Sequence, residues 1–299
     1  MAIKIGKKAE EGSIKLYKGV GAFNVLAVNP DKATLSKLTG REIEEEPSYK
    51  GKTQDGADYT RIVFWVKADS NAKVNNGISL LTSFNFTLQN TVRKGSNSGK
   101  TQVIDKYGRT AWVTDEDLAA KAIPVYGNGK KANISQDYRP AYVGEEELIK
   151  FMIAWLNIPS PMNYNRDTKK WYDKADMSDS EISLDMRALL AGDVKEIADI
   201  IPAVAPYAVK VVLGVRTNDE GKQYQTFYNR MFLRNNESDY SRIDADIQGT
   251  KDRGSFSTTE FSTKPLHEYN VEATDFSDTK DPISEAAEAS SNPWDNWGK

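Results

Sequence analysis

The segment from Thr60 to Ala68 constrains the fold most, because its side chains alternate between two chemical classes. Every second residue is large and apolar, namely Ile62, Phe64 and Val66, whereas the opposite parity carries Arg61, Val63, Trp65 and Lys67. Successive side chains of a strand point to opposite faces of the sheet, so this alternation predicts a β-strand with one buried face. With the apolar parity in the core, the indole of Trp65 would lie between two cations on the other face.

Further strands are predicted on both sides of a helical segment. Extended segments bounded by turn residues occur at 20–28, 78–88, 101–113, 208–216 and 223–234, and the last two are predicted to form a hairpin. In the 223–234 segment, parity places Phe227, Met231 and Leu233 inward and Tyr224, Tyr228 and Arg230 on the opposite face. Between residues 143 and 201, acids in a first turn followed by helical apolar spacing predict two or three helices. The predicted fold class is therefore α+β, mainly β.

The C-terminal segment is acidic. Residues 268–299 contain eight acids against two lysines, a net charge of −6, while the remaining 38 bases and 35 acids leave residues 1–267 at +3. Such a segment cannot bury enough apolar surface to offset its ordering entropy, so a disordered tail is expected. Trp294, Asp295 and Trp297 near its end would be accessible to a partner protein. The alternative is a terminus that only improves solubility.

The side chains that common enzyme mechanisms require are scarce. The chain has no cysteine and one histidine, His267. It therefore lacks the side chains that thiolate metal sites and Ser/His/Asp or Cys/His catalysis require. Gly95-Ser-Asn-Ser-Gly-Lys-Thr101 has three residues between its glycines, where a phosphate-binding loop needs four. We expect a protein that is not an enzyme and that uses no cofactor and no metal. Carboxylate-only catalysis and a carboxylate-bound magnesium site stay open, since no particular acid is singled out.

The sequence also lacks membrane and export signals. No stretch approaches 18 consecutive apolar residues, and Met1–Lys8 is not followed by the apolar run of a secretory signal. We therefore expect a cytoplasmic protein without membrane contact.

Cations and aromatic rings recur together along the chain. Proteins that bind single-stranded nucleic acid combine cations along the phosphates with rings that stack on bases, each ring contributing about 1–3 kcal/mol. The predicted nucleic-acid-binding residues are Arg61, Trp65, Lys67, Arg93, Lys94, Lys100, Tyr107, Arg109, Lys130, Lys131, Arg139, Lys169, Lys170, Trp171, Tyr224, Tyr228 and Arg230. The competing interpretation is that most of these rings belong to the core, where aromatic residues of strands are usually found.

A β-rich body with basic and aromatic residues, followed by an acidic tail with terminal aromatics, resembles the replicative single-stranded DNA-binding proteins. Length and layout are most similar to those of large tailed bacteriophages. The resemblance implies an OB-fold-like barrel over 20–235 with a helical insertion at about 143–201, a basic N-terminal arm over 1–19 and a flexible acidic tail over 236–299. Unlike bacterial members, this chain continues with Gly298 and Lys299 after its last tryptophan.

The same resemblance implies a role in DNA replication, recombination or repair, in the cytoplasm of a host cell for a phage protein. The tail would recruit replication or recombination proteins through Trp294, Asp295 and Trp297. Two other functions are compatible with the residues. One is a virion structural or scaffold-interaction protein, and the other is an RNA-binding or strand-annealing protein. The oligomeric state is not predicted.

Overall fold

The structure is a computed structural model of the 299-residue chain. It describes residues 15–54, 56–95, 99–106, 108–157, 164–165, 170–171, 184–204, 208–254 and 258–269, with 164–165, 170–171 and 203–204 described by their backbone alone.

Strands predominate over helices in the described residues. The strands are β1 (Leu16–Val28), β2 (Lys50–Lys52), β3 (Asp58–Ala68), β4 (Leu81–Val92), β5 (Thr101–Ile104), β6 (Thr110–Val113), β7 (Arg139–Pro140), β8 (Tyr142–Val143), β9 (Tyr164–Asn165), β10 (Lys170–Trp171), β11 (Ala208–Thr217), β12 (Gln223–Phe227), β13 (Leu233–Arg234), β14 (Thr259–Phe261) and β15 (His267–Tyr269). The helices are α1 (Lys32–Thr39), α2 (Asp115–Ala120), α3 (Glu145–Trp155), α4 (Met186–Leu190), α5 (Lys195–Val204) and α6 (Ser241–Asp252). The predicted mixed class, mainly β, is confirmed.

The main sheet is antiparallel and curls into a half-barrel, with strand order β12-β11-β1-β3-β4-β8. Strands β1, β3 and β4 pair consecutively, and β11 returns by a long connection to pair with β1. A meander whose fourth strand returns beside the first is a Greek key. Three helices, α3, α4 and α5, lie in the connection between β8 and β11, so helices occupy the segment where the sequence predicted them.

The largest core lies inside the curl of the sheet, where helices cover it. Ile62, Phe64 and Val66 of β3 are fully buried there, as the alternation predicted, with Phe84 and Phe86 of β4 beside them. Buried residues of the three helices complete this core: Leu148, Phe151, Met152, Ala154, Trp155, Met186, Leu189 and Ile197. This side of β3 is therefore closed, and only its other face can meet a ligand.

A second core lies on the outer face of β1 and β11, where α6 packs. Ile243 and Ile247 of α6 bury against Val20, Val212 and Tyr228. The flexible tail predicted from residue 236 onward is wrong for residues 241–252, 259–261 and 267–269, which form α6, β14 and β15. Two isoleucines four residues apart lie on one face of α6 and fill an apolar surface formed by distant strands.

The two ends of the described chain meet at the start of β1. Leu16 pairs with Tyr269, Lys15 forms an ion pair with Glu268, and Lys18 forms one with Glu260. The predicted loose arm over 1–19 is wrong for residues 16–19, which belong to β1, and residues 1–14 lie outside the described part. The first and last described residues of the chain are therefore neighbours in the fold.

A small three-stranded sheet, β6-β5-β7, adjoins the far end of β4. The predicted 101–113 hairpin is present as β5 and β6. One face of this sheet holds its own core of Val103, Ala111, Val113, Ala132, Ile134 and Tyr138. The sheet carries several of the predicted cations, and its core makes it a firm support for them.

Candidate nucleic-acid interface

The outer face of β3 carries the first group of predicted residues. Trp65 is half-buried and pairs with Ala27 of β1 and Ser83 of β4, so small neighbours on both sides leave part of the indole open. Lys67, two residues along the same face and so about 7 Å away, is exposed and makes no ion pair with any described residue. A ring and a free cation therefore lie side by side, as predicted.

Arg61 occupies the other end of the same face. Its guanidinium carbon lies 5.1 Å from the centre of the Tyr59 ring, and its Nη2 donates a hydrogen bond of 2.7 Å to the Tyr59 hydroxyl. Between the two ends, Val63 is only 8% exposed and the Asn85 side-chain oxygen opposite it is buried. The accessible groups thus lie toward the two ends of β3, and the centre of the face is closed.

Four predicted lysines lie on two hairpins at the small sheet. Lys94 and Lys100 form the base of one hairpin, in which Lys94 pairs with Thr101. Lys130 and Lys131 lie on a second hairpin, in which Val125 pairs with Lys131. All four lysines are exposed, and within the described ranges none has a carboxylate partner. Their charges remain available to an anionic ligand.

The predicted arginines of this region are instead held by carboxylates. Arg93 contacts Glu146 at 3.2 Å, Arg109 forms an ion pair with the buried Asp105 at 2.7 Å, and Arg139 pairs with the buried Glu145. The pKa of the Arg139 guanidinium is raised, and the largest cause is its hydrogen bond to the Glu145 carboxylate. A guanidinium that balances a buried carboxylate contributes little free charge to a ligand. We conclude that these three arginines support the fold.

The third predicted group, on β12 and the segment after it, is only partly accessible. Tyr228 is 1% exposed, so its prediction as a stacking residue is wrong. Parity placed Tyr228 correctly on the face opposite Phe227, but Ile243 and Ile247 of α6 cover that face. The predicted inward parity fails later, at Met231 and Leu233, because β12 ends at Phe227. Arg230 donates to Thr250 of α6 and lies 3.4 Å from Asp246, while Tyr224 is half-buried opposite Arg216.

The structure does not bring the lysines of the two sheets together. Lys67 pairs with Leu81 at the start of β4, whereas Lys94 follows Val92 at its end. Eleven residue steps of a strand separate Leu81 from Val92, which corresponds to about 37 Å along β4. The predicted set therefore divides into a β3 group and a small-sheet group, and a ligand that contacts both must run the length of β4.

Several predicted residues cannot be placed. Tyr107, Lys169, Trp294, Asp295 and Trp297 lie outside the described residues, and for Lys170 and Trp171 only the backbone of the β9–β10 hairpin is described.

Two exposed rings were not among the predicted site residues. Trp112 is 39% exposed on β6, and Tyr126 is 52% exposed on the 125–131 hairpin. Trp112 could have been found from its own strand, because Ala111 and Val113 on either side of it face the small core. For Tyr126 the signal was the glycine-rich Gly127-Asn-Gly129 beside it, which marks an exposed turn.

Within the described part of the chain, no helix is long and apolar enough to cross a membrane. Comparisons with protein-family models, with curated proteins and with solved structures each returned no match.

Proposed function

We propose that this protein binds single-stranded DNA without sequence preference, that it is not an enzyme, and that it acts in DNA replication, recombination or repair. The observation that carries the proposal is the outer face of β3, where the half-buried Trp65 lies beside the exposed Lys67. A flat ring stacks on any base, and a cation beside it attracts the backbone, so this combination suits a strand of any sequence.

The topology supports the same face. OB-folds are five-stranded Greek-key barrels that bind oligonucleotides on their second and third strands. A Greek key is formed by β1, β3, β4 and β11, and β12 extends it through a hairpin with β11. In chain order, β3 and β4 are the second and third of these five strands. The barrel is open between β4 and β12, where Phe84 lies 5.0 Å from Phe227. We therefore propose an OB-type core in which Trp65 lies on the binding face.

The acidic segment that follows β15 is proposed to compete with DNA for the cations of the protein. Residues 270–299 are rich in acids and carry Trp294, Asp295 and Trp297 near their end. An anionic segment attached to a cationic binding protein competes with DNA for the same charges, and this competition weakens as salt increases. We propose that DNA displaces the segment, which then recruits replication or recombination proteins.

Fluorescence titration with oligo-dT at several salt concentrations tests the proposal. Trp65→Leu is expected to weaken binding about 5- to 160-fold, the range for one stacked ring. Lys67→Gln is expected to reduce the slope of log affinity against log salt by about 0.7, the value for one phosphate contact of a single strand. Lys195→Gln is the matched control, because Lys195 is 77% exposed on α5 and is paired with Asp199.

The proposal is overturned if oligo-dT binds no better than a neutral polymer. It is also overturned if Trp65→Leu and Lys67→Gln bind oligo-dT as the unchanged protein does. Stable ordered assembly without nucleic acid would instead support the structural-protein alternative.

A further inference from the structure

The hairpin 125–131 is closed by its own backbone hydrogen bonds. Its strands are joined by the Val125–Lys131 bridge and by a 2.8 Å hydrogen bond from the Tyr126 N–H to the Lys130 carbonyl. The turn closes with a 2.9 Å hydrogen bond from the Gly129 N–H to the Tyr126 carbonyl. Gly129 has a φ of +77°, which glycine adopts without strain. The chain direction at Tyr126 is therefore determined by the backbone.

The base of this hairpin is anchored in the fold. The Ala132 N–H donates to the carbonyl of the buried Pro124 at 2.7 Å, and Ala132 and Ile134 pack into the core of the small sheet. The base of the hairpin is therefore held in place by the core of the small sheet.

The tip combines apolar surface with free positive charge. Val125 is 60% exposed and Tyr126 is 52% exposed, and these are the two most exposed large apolar side chains among the described residues. Lys130 and Lys131 beside them are exposed, and residues 125–131 include no acid. The ligand that fits must offer a flat apolar surface bordered by negative charge.

The end of a nucleic-acid duplex has this chemistry. Its last base pair exposes an apolar stacking face, and phosphates of both strands surround that face. Residues 127–129 beside the Tyr126 ring are exposed and two of them are glycines, so the ring is open to solvent at the tip. An acidic peptide offers the charge but no flat face of comparable size.

We propose that the 125–131 hairpin recognises the junction between single- and double-stranded DNA, with Tyr126 stacked on the terminal base pair and Lys130 and Lys131 near the flanking phosphates. This inference rests on the proposed single-strand binding and extends it, because it assigns a second substrate feature to a separate part of the molecule.

Competition binding with three DNA probes tests the inference: oligo-dT, a blunt duplex, and the same duplex with an oligo-dT overhang. The full-length protein is expected to prefer the overhang substrate to oligo-dT of equal length by about 5-fold or more, the lower limit for one stacked ring. Tyr126→Ser is expected to abolish this preference and leave oligo-dT affinity unchanged. Tyr126→Phe retains the ring and should retain the preference, which separates stacking from a loss of folding.

Failure of this inference is distinguishable from failure of the proposed function. Normal oligo-dT binding without a junction preference, or with a preference that Tyr126→Ser leaves unchanged, overturns the junction site alone. Absence of oligo-dT binding overturns the proposed function and, with it, the inference.

Discussion

At Tyr228, one phenol connects the sheet to α6. The ring packs edge-on against Phe261 at 5.3 Å, and the hydroxyl donates to Asp246, which also lies 3.4 Å from Arg230. Burial, followed by the hydrogen bond to Asp246, raises the pKa of the Tyr228 hydroxyl well above its ordinary value. The group therefore remains a donor at any physiological pH, and its role is structural.

Removal of this hydroxyl should cost stability and leave DNA binding intact. Tyr228→Phe is expected to lower the free energy of unfolding by about 1–3 kcal/mol, because a buried hydrogen bond to a charged acceptor is lost. Urea denaturation measures the change, and oligo-dT titration should give an unaltered affinity. Tyr126→Phe, at an exposed ring, is the matched control and should leave the urea midpoint unchanged. Weaker oligo-dT binding by a stable Tyr228→Phe protein would contradict this assignment.

At the scale of elements, Glu146 joins α3 to the small sheet. Its carboxylate accepts hydrogen bonds from Gln102 of β5 at 2.9 Å and from Thr110 of β6 at 3.3 Å, and it contacts Arg93 and Lys150. Burial alone would raise the pKa of Glu146, but these partners, with Lys150 first, outweigh burial and hold the pKa below its ordinary value. The side chain is 15% exposed, so solvent screens these contacts only in part.

The depressed pKa predicts how stability depends on acid. A carboxyl group with a lower pKa in the folded state stabilises the fold above its unfolded pKa, near 4.5, and loses this contribution as pH falls through the folded pKa. Glu146→Gln should therefore be less stable by about 1–3 kcal/mol at pH 7. The difference from the unchanged protein should narrow below about pH 4.5 in urea titrations.

A control substitution that should leave stability nearly unchanged is available on another helix. Glu116 is an exposed acid in the first turn of α2, so Glu116→Gln should change stability little. A difference between Glu146→Gln and the unchanged protein that stayed constant from pH 7 to pH 3 would rule out the proposed ion pairs.

At the scale of the molecule, the fold continues to Tyr269. β14 pairs with β11, β15 pairs with β1, and Ile243 of α6 is 1% exposed between them. A boundary drawn from acidity alone at residue 236 or 268 would cut through these contacts. The acidic segment that can be removed without touching the described fold begins at residue 270.

Two truncations test this boundary. A chain ending at Tyr269 should have the urea midpoint of the full chain, and at low salt it should bind oligo-dT more tightly because the competing acids are gone. A chain ending at Asn235 loses α6, β14 and β15 and should be destabilised by at least about 2–4 kcal/mol, the usual cost of emptying one buried isoleucine site. Equal urea midpoints for the two truncated chains would refute the structural role of residues 236–269.

Local patterns predicted the elements whose geometry depends on near neighbours. The alternation in β3 identified its buried face correctly, and turn residues identified the β5–β6 and β11–β12 hairpins. The same reasoning failed for Tyr228, because α6, which no local pattern predicted, covers the outer face to which parity assigned this ring. For the candidate site, the sequence located Trp65 and Lys67 but could not show that Arg93 and Arg139 have carboxylate partners.

The sequence by itself determined the mainly β character, the buried face of β3 and the charge contrast between the body and the acidic C-terminal segment, since each depends on composition or on spacing over a few residues. Only the tertiary structure decided which of the described cations remain free and that residues 241–269 belong to the fold. Arg93 meets Glu146 across 53 positions of sequence, and α6 is stable because β1 and β11 together form the apolar surface that it covers. Contacts of this range depend on chain topology, which no local pattern encodes.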